Sequence, residues 1–178
     1  MGAGKSSVGR ALGQRLNWIF EDLDDRIERR EGRSVATIFR ESGESGFRAA
    51  EHSALRQVLA ELESGLARVI ALGGGAYAQK ENVALLKSTG IPTVFLKAPV
   101  EELWRRCCEQ VRQTGTERPL QQNEAQFRRL YAVRRASYAR ARVKVETFGK
   151  DLPEIADEIA RKLKLQPIAE RMESGEVE

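Results

Sequence analysis

The first residues of the chain combine glycines, a lysine and hydroxyl side chains, which are the residue types that hold nucleotide phosphates. The stretch reads MGAGKSSVGR, and Gly2, Gly4, Lys5 and Ser6 match the last part of the phosphate-binding loop, G-x-G-K-S. In such a loop the glycines let backbone N–H groups turn toward phosphate oxygens, the lysine reaches the terminal phosphates and the next hydroxyl binds Mg²⁺. The alternative is a chance match at the start of a helix.

Two carboxylates and a run of glycines are candidates for the rest of such a site. Asp22-Leu23-Asp24 closes a predicted strand, and we expect its carboxylates to project to one side of an extended chain, one toward a metal and one toward a substrate hydroxyl. Gly73-Gly74-Gly75 ends another predicted strand and would let a ligand approach the backbone closely. Arg118, in a polar loop, is a candidate lid charge. The plainer alternatives are a solvated strand end before a helix, and a tight turn.

Strands and helices are predicted to alternate along the chain, a pattern typical of a parallel sheet flanked by helices. Strands are predicted near residues 18–20, 68–72, 92–96 and 143–146. Helices are predicted after the opening loop, from a cap at Ser34, and over about 47–62, 80–88, 100–112, 124–140 and 152–163. The pattern predicts an α/β fold with three layers, in which one domain spans residues 1–165, a lid covers about 112–122 and a frayed tail covers 166–178.

Composition narrows the class of protein. The 178 residues are 41% hydrophobic and 31% charged, which suits one globular domain. We expect a cytoplasmic protein without a membrane partner, because no apolar run approaches the roughly 20 residues of a membrane span and no signal peptide is recognisable. Cys107 and Cys108 are adjacent in a predicted helix, so they diverge and cannot pair. The formal charge is +4, and the arginines between Arg105 and Arg142 lack an aromatic platform, which argues against nucleic-acid binding.

Six motifs, taken in order, resemble those of the shikimate kinase family, small P-loop kinases of the nucleoside-monophosphate-kinase type. They are GAGKSSVGR, FEDLDDRIE, GESGFRAAE, ALGGGA, ERPL and RRASY, and the resemblance runs from residue 1 to about 165. It implies a P-loop NTPase fold and an enzyme that uses ATP as co-substrate and Mg²⁺ as cofactor. The implied reaction phosphorylates the 3-hydroxyl of shikimate, giving shikimate 3-phosphate and ADP, in the biosynthesis of chorismate and aromatic amino acids.

The same resemblance implies a role for each candidate residue. ATP would contact the opening loop, the lid and the end of a helix, at Gly2, Ala3, Gly4, Lys5, Ser6, Ser7, Arg112 and Arg118. The catalytic residues would be Lys5, Asp24 and Arg118, with Asp24 as the proton acceptor. Mg²⁺ would be held by Ser6 and, through water, by Asp22. Shikimate would be bound by its hydroxyls and its carboxylate, at Asp24, Arg48, Gly73, Gly74, Gly75 and Arg134.

The resemblance also implies that the first, central strand of the sheet is missing. In this family a central strand leads directly into the phosphate loop, so Met1 would be an internal residue of a chain truncated within that loop. We expect the sheet to contain a strand-wide cleft, or segment 143–146 to shift its pairing. Either arrangement would leave backbone groups unpaired at a cost of several kcal/mol, since each buried group loses roughly one hydrogen bond.

Two other functions stay open at this point. A kinase for another small hydroxy acid, such as gluconate, would keep the loop and lid, but it gives no reason for Arg48 and Arg134 beside the glycines. A binding module that has lost catalysis is the second alternative. His52, the one histidine, lies within a predicted helix, and we expect it to be structural or solvent-facing rather than a catalytic base. A monomer is expected.

Overall fold

Helices and short parallel strands alternate along the chain in the computed structural model, which describes residues 2–114 and 123–168. The strands are β1 (Ile19–Asp22), β2 (Arg68–Ala71), β3 (Val94–Lys97) and β4 (Val143–Glu146). The helices are α1 (Lys5–Leu16), α2 (Leu23–Glu31), α3 (Val35–Glu63), α4 (Lys80–Ser88), α5 (Val100–Thr114), α6 (Glu124–Tyr138) and α7 (Leu152–Leu163). The alternation is therefore as predicted. Most of the predicted lid, with Arg118, and most of the predicted tail lie outside the described residues.

The four strands pair two by two. In the first sheet Ile19 lies opposite Arg68, in the second Val94 lies opposite Val143, and both pairs are parallel. Within the described ranges no ladder joins β2 to β3, and a cavity of about 560 Å³ is lined by residues of both strands. Of the two arrangements expected for the centre of the sheet, the structure therefore has the cleft, while β4 keeps its place beside β3.

The strands are buried between two layers of helices. Val69 packs into a core that includes side chains from α1, α5, α6 and α7, whereas its neighbour Ile70 packs into a second core with α2, α3 and α4. Leu96 and Phe95 on β3 divide between the two cores in the same way. Successive side chains of a strand point to opposite faces, so this division places helices on both sides of the strands. The three-layer α/β prediction is confirmed.

A break in the long helix α3 directs its second half toward the ends of the strands. The Ser34 side chain caps the helix by accepting from the Thr37 N–H at 3.1 Å, as predicted. Gly43 has φ of 67° and ψ of −176°, which interrupts the helical backbone. The sequence predicts two helices here, and the structure confirms two helical segments that meet at this kink. The second segment carries Arg48 and Glu51.

The sequence predictions about membrane spans and disulfides can be compared with the structure. Across residues 2–114 and 123–168, no helix combines the length and the hydropathy that crossing a bilayer requires. Cys107 and Cys108 lie on α5, and neither is part of a disulfide, as the helix geometry predicts.

Candidate active site

The opening loop has the backbone of a phosphate cradle. Gly2 and Gly4 have φ of 61° and 75°, in the left-handed region that favours glycine. A Cβ on Gly2 would collide with the carbonyl oxygen of Leu103, so a larger residue does not fit there. Gly4 is the N-cap of α1, which starts at Lys5. The N–H groups of a first helical turn have no partner within their helix, and they favour an anion at this position.

The loop contacts the end of β1 through a hydroxyl and a carboxylate. Ser6 Oγ donates to Asp22 Oδ2 at 2.6 Å, and the other oxygen of Asp22 accepts from the backbone N–H of Asp24 at 3.1 Å. Asp22 therefore ends β1, caps α2 and faces the loop at the same time. The predicted metal pair, Ser6 and Asp22, is brought together in the structure.

The expectation that Asp22 and Asp24 project to one side of an extended chain is wrong. Asp22 has an extended backbone, with φ of −95° and ψ of 129°, but α2 begins at Leu23 and Asp24 lies in its first turn. The cap that Asp22 provides is the physical reason, because it starts the helix one residue before Asp24. The two carboxylates consequently face different neighbours: Asp22 contacts the phosphate loop, and Asp24 lies against Gly73 after β2.

The residues around Ser6 fit a magnesium ion. In the described part of the chain, no three His, Cys, Asp or Glu side chains cluster as a metal cage. Mg²⁺ does not need one, because it keeps several waters and is commonly bound by one or two protein oxygens together with substrate phosphates. A hydroxyl and a carboxylate at the mouth of a phosphate loop supply oxygens of this kind.

Gly73-Gly74-Gly75, the glycine turn that follows β2, lets three charged side chains approach the backbone. A Cβ on Gly73 would lie 2.7 Å from Asp24 Oδ1 and 3.0 Å from Glu51 Oε1. A Cβ on Gly75 would collide with the guanidinium of Arg48. Asp24, Glu51 and Arg48 thus converge on one turn, and glycine is required where they touch it.

Arg48 is held in place by a buried carboxylate that the sequence interpretation did not include. It donates to Glu51 at 2.9 Å and to Glu44 at 2.9 Å. Glu51 is fully buried, while Glu44 is exposed. Burial raises the pKa of Glu51 above its usual range; the positive charge of Arg48 opposes the rise and the nearby Asp24 carboxylate adds to it. Glu51 lies three residues after Arg48 in GESGFRAAE, and this helical spacing was the available signal.

Helix α6 brings Arg134 and Tyr138 to the same turn. Arg134 is buried, with 8% of its surface exposed, although it is charged. Tyr138, one helical turn later, donates its hydroxyl to the carbonyl oxygen of Gly74, and its ring packs against Phe95 with centroids 5.3 Å apart. Burial raises the pKa of Tyr138, and the positive charge of Arg134 opposes the rise. The motif RRASY contains Tyr138, but no role was predicted for it.

A buried side chain on α4 also holds the backbone next to the turn. Asn82 is fully buried and donates its amide to the carbonyl oxygen of Ala76 at 3.1 Å. Its own oxygen lies 2.7 Å from His52 Nδ1. Because that oxygen is an acceptor, Nδ1 of His52 carries the proton and donates. His52 therefore has a structural hydrogen bond, as expected for a histidine outside the chemistry.

Lys5, Ser7, Arg112 and Arg118 are the candidates that remain. Lys5 is half-buried at the start of α1, and Ser7 beside it is exposed. Arg112 is exposed near the end of α5, so its predicted contact with adenine stays a prediction. Arg118 lies outside the described residues.

Comparison with known proteins decides the family. The model of the shikimate kinase family matches residues 1–164. The chain belongs to the shikimate kinase family. A shikimate kinase of Persephonella marina is 34% identical over 165 residues, covering 92% of this chain and 94% of its own length. One from Geobacter metallireducens is 40% identical over 162 residues, covering 89% and 85%.

A solved structure extends this likeness from sequence to fold. Shikimate kinase from Acinetobacter baumannii, in complex with shikimate, superimposes with a TM-score of 0.81 at 35% identity, and the match covers 92% of this chain and 88% of that one. The family resemblance and the P-loop kinase fold predicted from the six motifs are confirmed. The roles of individual residues in this member of the shikimate kinase family stay predictions.

Proposed function

We propose that the chain transfers the terminal phosphate of ATP to the 3-hydroxyl of shikimate, forming shikimate 3-phosphate and ADP. The observation that carries the proposal is the position of Asp22-Leu23-Asp24 between two sites. Asp22 contacts Ser6 of the phosphate loop at 2.6 Å, and Asp24 lies against Gly73 in the turn that Arg48 also contacts. A phosphate donor on one side and a hydroxylated anion on the other would meet across this segment.

The donor side would be formed by the opening loop. The N–H groups between Gly2 and Ser7 would surround the phosphates of ATP, and Lys5 would hold the β- and γ-phosphates. Ser6 and Asp22 would hold Mg²⁺, which would supply positive charge to those phosphates. Phosphoryl transfer depends mainly on positioning and charge stabilisation, so these groups supply what the donor half requires.

The acceptor side would bind the carboxylate and a hydroxyl of the substrate. Arg48 and Arg134 carry planar forks that match a carboxylate, and the amides of Gly73, Gly74 and Gly75 would complete its binding. Asp24 would accept a hydrogen bond from the attacking hydroxyl and take its proton while the new O–P bond forms and the bond to ADP breaks.

Two assignments reach beyond the acceptor pocket. Arg118 would contact the transferring phosphate from the lid, and Arg112 would stack on adenine. Both roles are carried over to this chain from the family resemblance.

The acceptor pocket favours shikimate over gluconate. Two buried or half-buried arginines beside a glycine turn suit a compact acid whose carboxylate is fixed relative to its hydroxyls. The Acinetobacter baumannii shikimate kinase, which is in complex with shikimate, supports the same acceptor. The inactive-module alternative is disfavoured because Lys5, Ser6, Asp22 and Asp24 are all present in this chain.

We also propose that the enzyme works as a monomer in the cytoplasm. Every residue assigned above comes from one chain, so the site needs no second copy. Neither Cys107 nor Cys108 is part of a disulfide, which suits a reducing compartment that also supplies ATP.

The test is an acceptor-specificity assay. ADP release is measured with ATP and Mg²⁺ in the presence of shikimate, of gluconate, or of no acceptor. We expect release only with shikimate, and a loss of at least ~100-fold in kcat for Asp24→Asn, because a positioned base contributes about 10²–10⁴-fold. Equal rates with gluconate, or full activity of the Asp24→Asn variant, would contradict the proposal.

A further inference from the structure

Three carbonyl groups in and next to the glycine turn accept hydrogen bonds that anchor it. The N–H of Ala76 donates to the carbonyl of Gly73 at 3.1 Å and closes the turn. The hydroxyl of Tyr138 then holds the carbonyl of Gly74, and Asn82 holds the carbonyl of Ala76 at 3.1 Å. Of these two side chains, only Tyr138 donates to a carbonyl that belongs to one of the three glycines.

Holding the carbonyl of Gly74 also orients the next amide. The peptide group is planar and trans, so the N–H of Gly75 points away from the carbonyl of Gly74 in the same plane. Glycine on both sides of this peptide leaves its plane free to rotate, because there is no Cβ to restrict the backbone. The Tyr138 hydroxyl therefore fixes the direction of an N–H group that the proposed function assigns to the substrate carboxylate.

The same hydrogen bond connects the turn to Arg134, the other group that the proposed function assigns to the substrate carboxylate. Tyr138 and Arg134 are four residues apart on α6, so they share one face of that helix. Arg134 is buried beside Tyr138, and its charge acts on the phenol. The residue that holds the turn therefore lies on the same helix as the buried arginine, and a movement of α6 relative to the turn would also displace the Arg134 guanidinium.

We propose that Tyr138 is a positioning residue that fixes Arg134 and the Gly75 amide at the spacing needed to bind one carboxylate. The proposal rests on the proposed function, since it assumes that these two groups bind the carboxylate of shikimate. The ring supports the assignment, because it packs against Phe95 and holds the hydroxyl in one place. The hydroxyl is protonated, and thus a donor, throughout the neutral range, because the usual pKa of tyrosine is about 10 and burial raises the pKa of Tyr138 further.

The test is Tyr138→Phe, which keeps the ring and removes only the hydroxyl. We expect the shikimate KM to rise about 5- to 20-fold, with the ATP KM unchanged and kcat altered less than twofold. Tyr77→Phe is the matched control: Tyr77 is also buried next to the turn, but its hydroxyl pairs with Thr93 at 3.2 Å rather than with a glycine carbonyl. The control should leave both KM values unchanged.

A double-mutant cycle separates positioning from general stability. In the Arg134→Ala background we expect Tyr138→Phe to change the shikimate KM less than twofold, because the spacing it maintains has lost one ligand. Fully additive effects, an unchanged shikimate KM in Tyr138→Phe, or an equal rise in the ATP KM would overturn the positioning role. Calorimetric titration of the wild-type chain with shikimate distinguishes the two claims: absence of binding overturns the proposed function, whereas wild-type binding that Tyr138→Phe leaves unaltered overturns the positioning role alone.

Discussion

Replacing Arg48 by alanine should destabilise the protein in a pH-dependent way, because it leaves Glu51 without its main partner. Glu51 is fully buried and Arg48 is only 14% exposed. Removing one partner of a buried ion pair costs about 3–5 kcal/mol. For a domain of this size, 1 kcal/mol corresponds to roughly 2–4 °C in Tm, so we expect a loss of roughly 6–20 °C at pH 8.

The pH dependence follows from the direction of the pKa shift. Burial raises the pKa of Glu51, and removing Arg48 takes away the charge that opposes this rise. A carboxyl whose pKa is higher in the folded state favours folding when it is protonated. Its contribution is present at low pH and is lost as the pH rises from about 4.3, the usual pKa of Glu, through the raised value. The deficit of Arg48→Ala should therefore be small at pH 5 and largest at pH 8.

The assay is thermal unfolding followed by circular dichroism at pH 5, 6.5 and 8. The double variant Arg48→Ala with Glu51→Gln removes the orphaned charge, and we expect it to recover most of the Tm lost at pH 8. Its shikimate affinity should stay low, because the guanidinium fork is still absent. A deficit that is equal at all three pH values, or a double variant no more stable than the single one, would refute the reasoning.

Further predictions concern the metal pair and a buried ion network. Ser6→Ala removes the hydroxyl that contacts Asp22, so kcat should fall by about 100-fold with little change in the shikimate KM, while Ser6→Thr should retain activity in the same assay. Glu21 is buried and accepts from Arg26, Arg29 and Arg68, so Glu21→Gln should cost about 3 kcal/mol in urea unfolding at pH 7. Burial alone would raise the pKa of Glu21, but its arginine partners lower it overall. The wild-type advantage should accordingly vanish as the pH falls through that lowered pKa, and a difference that persists at acid pH would contradict this account.

The sequence predicted well those features that depend on local periodicity and caps. The position of the Ser34 cap and the span of α7 follow from residue types that act within a few positions of each other. The three-layer arrangement also follows from alternation of elements, since strands buried on both faces need helices on each side.

Of the features that the sequence did not predict, one is a local cap and two depend on contacts between distant segments. Asp22 caps α2, and this cap overrode the expectation of an extended chain through Asp24. Glu51 was missed because its helical spacing to Arg48 does not show that it is buried against Gly73, which lies in a distant segment. Tyr138 acts across the fold on Gly74, and no spacing within the sequence indicates that contact.

The most direct test of the central claim is ³¹P NMR of the reaction products. ATP, Mg²⁺ and shikimate are incubated with the wild-type chain, and with the Asp24→Asn variant as control. We expect the γ-phosphate signal of ATP to be replaced by a phosphomonoester signal coupled to the proton at carbon 3 of shikimate, with an equal amount of ADP. Release of inorganic phosphate without a phosphate ester of shikimate, or an ester at another hydroxyl, would contradict the assignment of Asp24 and of the acceptor pocket.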